Sequence, residues 1–182
     1  MIRTALDTSV VVAALLRWHE DSERCLRAIA AARGKRRGLF VPRTVLLRSW
    51  SVATSLPAGG ISPGDALDLL RSLVGRDEAP PAAGSPEWPL VEDAVQSGVV
   101  GGAIHDFEIL DAAARAGAAR LLTLNPTDFL RFGDRGVEIV APQEYPGMAP
   151  RVSAATKGAP PPSPHPRVNF TYPPISSNPR RR

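Results

Sequence analysis

The chain predicts an α/β fold of three layers, in which helices cover both faces of a short parallel sheet. Short continuous apolar runs, such as Ile2 to Leu6, alternate along the chain with longer segments of helical periodicity. Apolar runs without an alternating polar face belong to strands buried on both sides, the situation of a parallel sheet. No GxGxxG or P-loop pattern follows any of these strands, which removes nucleotide binding of those kinds from the functions considered.

The elements are predicted in order. Ile2 to Leu6 is the first strand, and the apolar stretch Val10 to Leu16 is a helix entered through Asp7, Thr8 and Ser9. Residues 21–33, "DSERCLRAIAAAR", are an amphipathic helix, with Cys25 as apolar filler. "GLFVP" is a strand ended by Pro42. "RTVLLRSWSVATSL" is helical up to Pro57. "SPGDALDLLRSLV" carries a strong start signal, Ser62 as the capping residue and Pro63 at the first helical position. "RDEAPPAAGSPEW" is a loop rich in breakers, and a helix follows around "PLVEDAVQSG". "GGAIHDFEILDAAARAGA" is a longer helix entered through glycines, "RLLTL" a strand, "NPTDFLRF" a turn into a short helix, and "VEIVAP" the last strand.

Charge is unevenly distributed. The isoelectric point is near 10.0, yet residues 151–182 hold six basic residues and no acidic one. Removing that +6 from the chain's +4 leaves −2 for residues 1–150. The body is thus not a basic protein; its local positive run is Arg33, Lys35, Arg36 and Arg37, read as a solvated turn or a phosphate contact. Residues 151–182 also hold eight prolines, a composition that cannot bury a core. The division predicted is a folded domain over 1–147 and a disordered, basic, Pro-rich tail over 148–182. One cysteine excludes an internal disulfide framework, and no apolar stretch is long enough to span a bilayer, so a cytoplasmic protein without a membrane partner is expected.

The functional clues are carboxylates at one sheet edge. Asp7 ends the first strand. It either caps the following helix or, because parallel strands present their C-terminal ends as the floor of a ligand crevice, holds a metal ion. Asp106 opens the long helix, and Asn125 and Asp128 follow "RLLTL". Mg2+ takes oxygen ligands and keeps several waters, and in phosphodiester hydrolysis it activates water and neutralises charge on phosphate.

"ALDTSVVVAAL", "VPRTVLLRSWSVATSLP" and "GGAIHDFEILDAAARAGAARLLTLNPTDFLRF" resemble, in order and spacing, the PIN-domain family and within it the VapC toxins of bacterial toxin–antitoxin pairs. The resemblance covers about residues 1–145. It implies a PIN-like fold and a Mg2+-dependent endoribonuclease, with Mn2+ as the other candidate ion, acting on RNA and held inactive by a cognate antitoxin; a homodimer is usual in the family. The family's metal-binding aspartates fall on Asp7 and Asp106, and its last acidic motif on Asn125 and Asp128-Phe129, which gives Asp7, Asp106 and Asp128 as the catalytic set.

One position departs from the pattern. Where the family carries an inward glutamate, this chain has Arg48, a permanently charged cation that can pair with Asp7 or Asp106 and take the place of the metal. The other reading is that its long stem carries the charge out to solvent. An inactive PIN-like protein that binds RNA or a partner protein is therefore the second function expected. Glu108, two residues from Asp106, is expected on another face of its helix, leaving the position uncompensated. His105 is read as a structural histidine or a general base. His19 and His165 share no ligand spacing, and Trp18, Trp50 and Trp88 are read as core or interface. An aspartyl phosphatase would need a second aspartate where Ser9 stands.

Overall fold

The computed structural model describes residues 2–34, 37–56, 61–79 and 87–146. The tail predicted from 148 onward lies outside the described residues, as do Lys35, Arg36 and His165. The order of elements is β1 (Ile2–Leu6), α1 (Thr8–Leu15), α2 (Ser22–Ala32), β2 (Arg37–Phe40), α3 (Arg43–Ser55), α4 (Pro63–Leu73), α5 (Glu87–Gln96), α6 (Ala103–Arg115), β3 (Ala118–Leu122), α7 (Pro126–Leu130) and β4 (Glu138–Val140). Single 3-10 turns lie at Arg76–Glu78 and Pro142–Glu144.

The four strands form one parallel sheet in the order β2-β1-β3-β4. From β1 the chain crosses first to β2 on one side and later to β3 on the other. Right-handed crossovers in opposite directions place helices on both faces, which gives the three-layer α/β/α architecture. Strand β1 is central, and its Thr4, Ala5 and Leu6 are all buried, as its unbroken apolar run requires. Helix α1 buries Val10, Val11, Ala13, Ala14 and Leu15; a helix apolar on nearly every side belongs inside the core. Ile109 and Leu110 of α6, Leu121 and Leu122 of β3, and Phe129 of α7 complete the same core. Cys25 is fully buried in it, and burial pushes its thiol up to about 12, so it stays protonated filler.

The start signal at α4 acts as read. Ser62 Oγ accepts from the Asp65 N–H at 3.2 Å and donates to the Asp65 carboxylate at 2.7 Å. Helix α5 begins at Glu87, ahead of Pro89, because proline is tolerated in a first turn, where its missing N–H costs nothing. Strand β3 runs from Ala118 to Leu122, two residues earlier than "RLLTL". Gly117, at φ +65°, reverses the chain directly out of α6, so the strand starts at once and Thr123 falls just beyond its end.

Two polar expectations are corrected. Arg33 is not a free phosphate contact: its guanidinium forms two 2.6 Å bonds to the Glu78 carboxylate and one to the Leu73 carbonyl. That bonding holds the Glu78 carboxyl below its usual range, and the pair staples α2 to the turn after α4. Of core or interface, exposure removes the core reading for the tryptophans: Trp18 and Trp88 are 68% and 76% exposed, and Trp50 is exposed on α3.

Tyr145 ties the end of the body to its centre. Its hydroxyl and that of Thr4 on β1 share a 2.8 Å hydrogen bond, and both residues are buried. Tyr145→Phe leaves the Thr4 hydroxyl unpaired and is expected to cost about 1–3 kcal/mol in denaturant unfolding, with most of the loss recovered by adding Thr4→Val. Full additivity of the two substitutions would show that the bond contributes nothing.

Candidate functional site

Parallel strands put all their C-terminal ends on one edge, and the helices that follow them start there. Asp7 leaves β1 on this edge, and its N–H continues the ladder to the Leu122 carbonyl at 3.0 Å. Thr123 leaves β3 beside it, with its own N–H bonded to the Val140 carbonyl at 3.1 Å. These bonds fix the site at the junction of β1 and β3, the point from which the chain crosses in opposite directions. In open α/β sheets this is where ligands bind.

Both readings of Asp7 meet in one side chain. As N-cap of α1, its Oδ1 accepts from the Thr8 N–H at 2.5 Å, and its Oδ2 accepts weakly from the Ser9 N–H at 3.4 Å. Oδ2 also receives the Ser9 hydroxyl at 2.5 Å and the Thr123 hydroxyl at 2.8 Å. The direction of these bonds is set from behind. Ser9 Oγ accepts from the Leu124 N–H and Thr123 Oγ1 from the Asn125 N–H, each at 3.0 Å, so each hydroxyl proton is free to turn to Asp7. Asp7 is 5% exposed. Three of its four lone-pair directions are taken by short bonds, which leaves one on Oδ1 for a further partner.

Asp106 reaches the same edge from the opposite direction. Helix α6 joins β3 at the other end of the sheet, and its 13 residues span about 20 Å, which returns its N-terminus to the strand C-terminal edge. Gly101, at φ +57°, turns the chain into it. Asp106 lies in the first turn, where the helix dipole favours a carboxylate. Burial nevertheless raises its carboxyl above the ordinary range, and the negative charge of Asp7 adds to this. The positive charge of Arg48 opposes the rise, Asp128 adds to it, and Arg131 opposes it. Two further carboxylates and two guanidiniums thus act on Asp106 here. Arg131 Nη2 lies 3.5 Å from Asp106 Oδ2, within ion-pair distance. Arg131, the C-cap of α7, also stands 4.9 Å over the Phe132 ring.

Of the remaining sequence candidates, Arg48 is half-buried on α3 rather than extended into solvent. Asp128 is exposed on α7, and its negative charge acts at Asp106. Asn125 caps α7 with no side-chain bond, and its side chain is exposed. His105 is exposed, so it is not a satisfied core histidine; His19 is structural, accepting the Asp21 N–H at Nδ1. Glu108 turns to α3, where it accepts from the Thr44 hydroxyl at 2.5 Å. Sequence reasoning missed Ser9, Thr123 and Arg131. The polar Ser9 two residues past a strand-end aspartate was the available signal for the first. Nothing local marked Arg131.

Among the described residues no three His, Cys, Asp or Glu side chains converge to hold a metal ion. Mg2+ needs only one or two carboxylates when it keeps its waters, and Asp7 with Asp106 supply that minimum. The residues fit a loosely held, water-rich ion and not a closed acidic cage.

No family model matches the chain, and no curated protein matches it in sequence. Among solved structures it is similar to a chain in the crystal structure of VapBC2 from Rickettsia felis bound to a DNA fragment from the promoter. The identity is 17% and the TM-score 0.56, over 77% of this chain and 98% of that one. The likeness shows the fold, an α/β PIN-like fold.

Two predictions separate the roles of the aspartates. Asp7→Ala removes a cap and the acceptor of two buried hydroxyls, and should cost about 1–3 kcal/mol in denaturant unfolding whether or not a metal is present. Asp106→Asn should do the opposite. The folded state raises the Asp106 carboxyl, so it binds more protons there than the unfolded chain does, and wild-type stability falls as pH rises from the ordinary aspartate range through the raised value. The variant escapes this loss, so it should melt higher than wild type at pH 7, and the gap should close on acidification. Melting curves from pH 4 to 7 check it; a variant that melts lower throughout would contradict the burial argument.

Proposed function

We propose that the chain is a metal-dependent endoribonuclease of the PIN toxin type, weakened by its own arginines. The observation that carries the reading is Asp106, half-buried and subject to the charges of Asp7 and Asp128, with Asp7 at the C-terminal edge of a PIN-like sheet. Asp7 is held by short bonds that leave one lone pair on Oδ1 for a further partner. Asp106 is half-buried beside it, and exposed Asp128 stands where a polyanion enters. Asp7 and Asp106 would hold Mg2+ or Mn2+, which when bound supplies an activated water and neutralises charge on the phosphate. Ser9 and Thr123 keep the Asp7 carboxylate oriented toward the pocket. The substrate class is RNA, and the protein partner is a cognate antitoxin; the VapBC2 neighbour supports the partner. A homodimer and a cytoplasmic location belong to the same proposal; among the described residues no helix is long and apolar enough to cross a membrane.

The second reading is a PIN-like protein without catalysis that binds RNA or a partner. Arg48 and Arg131 beside only two well-placed carboxylates favour it. One experiment divides the two. Purified chain is incubated with structured and single-stranded RNAs in Mg2+, in Mn2+ and in chelator, beside Asp106→Asn. The nuclease reading expects slow cleavage that stops with chelator and in the variant. Retention of RNA with no cleavage under any ion supports the second reading and overturns the first.

A further inference from the structure

We propose that Arg131 and Arg48 are built-in counter-ions of the Asp7–Asp106 pocket, supplying from within the chain the positive charge that a divalent cation would bring, so that Mg2+ enters only against them. The inference rests on the reading of this pocket as a Mg2+ site, and names the device that regulates it.

The geometry is clearest for Arg131. It follows α7 directly, and its guanidinium lies between the Asp106 carboxylate, at 3.5 Å, and the face of Phe132. Phe132 in turn packs edge-on against Phe107, with ring centroids 5.3 Å apart. Phe107 is the residue next to Asp106 and is fully buried. The stack therefore holds the cation and the carboxylate in register, because the ring under the guanidinium is braced by the neighbour of the carboxylate. An arginine on an aromatic face keeps its charge while losing mobility. Arg48 is half-buried on α3, and its positive charge acts in the same direction on Asp106.

Charge arithmetic decides the consequence. Asp7, Asp106 and Asp128 with Arg48 and Arg131 sum to −1. A divalent ion would turn that into +1, whereas without the two arginines the pocket would stand at −3 and a divalent ion would leave it still negative. The pocket is nearly neutral before any metal arrives. An RNA phosphate that drew either guanidinium away would raise the pull on the metal, so substrate and ion would enter together.

The test is a Mg2+ titration by calorimetry on the full chain, with melting curves alongside, for wild type, Arg131→Gln, Arg131→Lys, Arg48→Gln and Arg115→Gln. Removing one unit charge within a few ångströms should tighten Mg2+ binding by about tenfold or more, even at a surface-like dielectric. Arg131→Gln and Arg48→Gln should show that gain, melt lower than wild type without metal, and regain the difference when Mg2+ is added. Arg131→Lys keeps the charge and should keep wild-type affinity. Arg115→Gln loses an arginine paired to Asp111 at the far end of α6, and should also behave as wild type. Wild-type affinity in both Gln variants overturns the counter-ion proposal and leaves the metal site standing. Failure of every variant to bind Mg2+ overturns the proposal together with the reading of the pocket as a metal site.

Discussion

A buried carboxylate must be answered by donors, and the way Asp7 is answered sets the rest of this site. An aspartate 5% exposed at the end of a central strand is costly unless hydrogen-bonded. Here the first N–H groups of α1 supply one side of the answer, and the Ser9 and Thr123 hydroxyls supply the other. Thr123 is in place only because β3 lies next to β1 and ends level with it. The same bonds that make Asp7 tolerable therefore fix the alignment of two strands and leave one lone pair on Oδ1 for a further partner. Stability and candidate chemistry share one side chain, which makes Asp7 a poor residue on which to test activity alone.

Asp106 is governed by the opposite balance. Burial and the charge of Asp7 work against its ionised form, and the two arginines work for it. In a pocket with a third carboxylate in the Arg48 position, a divalent cation would be the natural remedy for that repulsion. On the counter-ion proposal, Arg48 and Arg131 would supply that remedy from within the chain, and the site would call for metal less strongly.

The fold was legible because its cues are local: apolar runs without alternation, Ser62-Pro63 ahead of α4, glycines ahead of α6. Strand β3 was displaced by two residues because "RLLTL" is as apolar at its end as at its start, and only the left-handed Gly117 shows where the chain turns. Asp7 and Asp106 are marked by their positions beside apolar elements, and Arg48 by its departure from the acidic pattern of the family the sequence resembles. Arg131 carried no mark. Its role depends on Phe132 resting on Phe107, a contact across 25 residues that periodicity does not encode. Trp18, Trp50 and Trp88 lie outside the core, whose large rings are Phe107, Phe129 and Tyr145.

The central claim is that Asp7 and Asp106 share one pocket and feel each other's charge. Carboxyl carbon NMR of Asp106, followed through a pH titration in wild type and in Asp7→Asn, measures this directly. The variant keeps the cap of α1 but removes the charge. The account predicts a wild-type Asp106 that titrates above the ordinary aspartate range and moves back toward it in Asp7→Asn, with burial maintaining part of the rise. An Asp106 titration that is the same in both proteins would place the two carboxylates in separate environments and contradict the account.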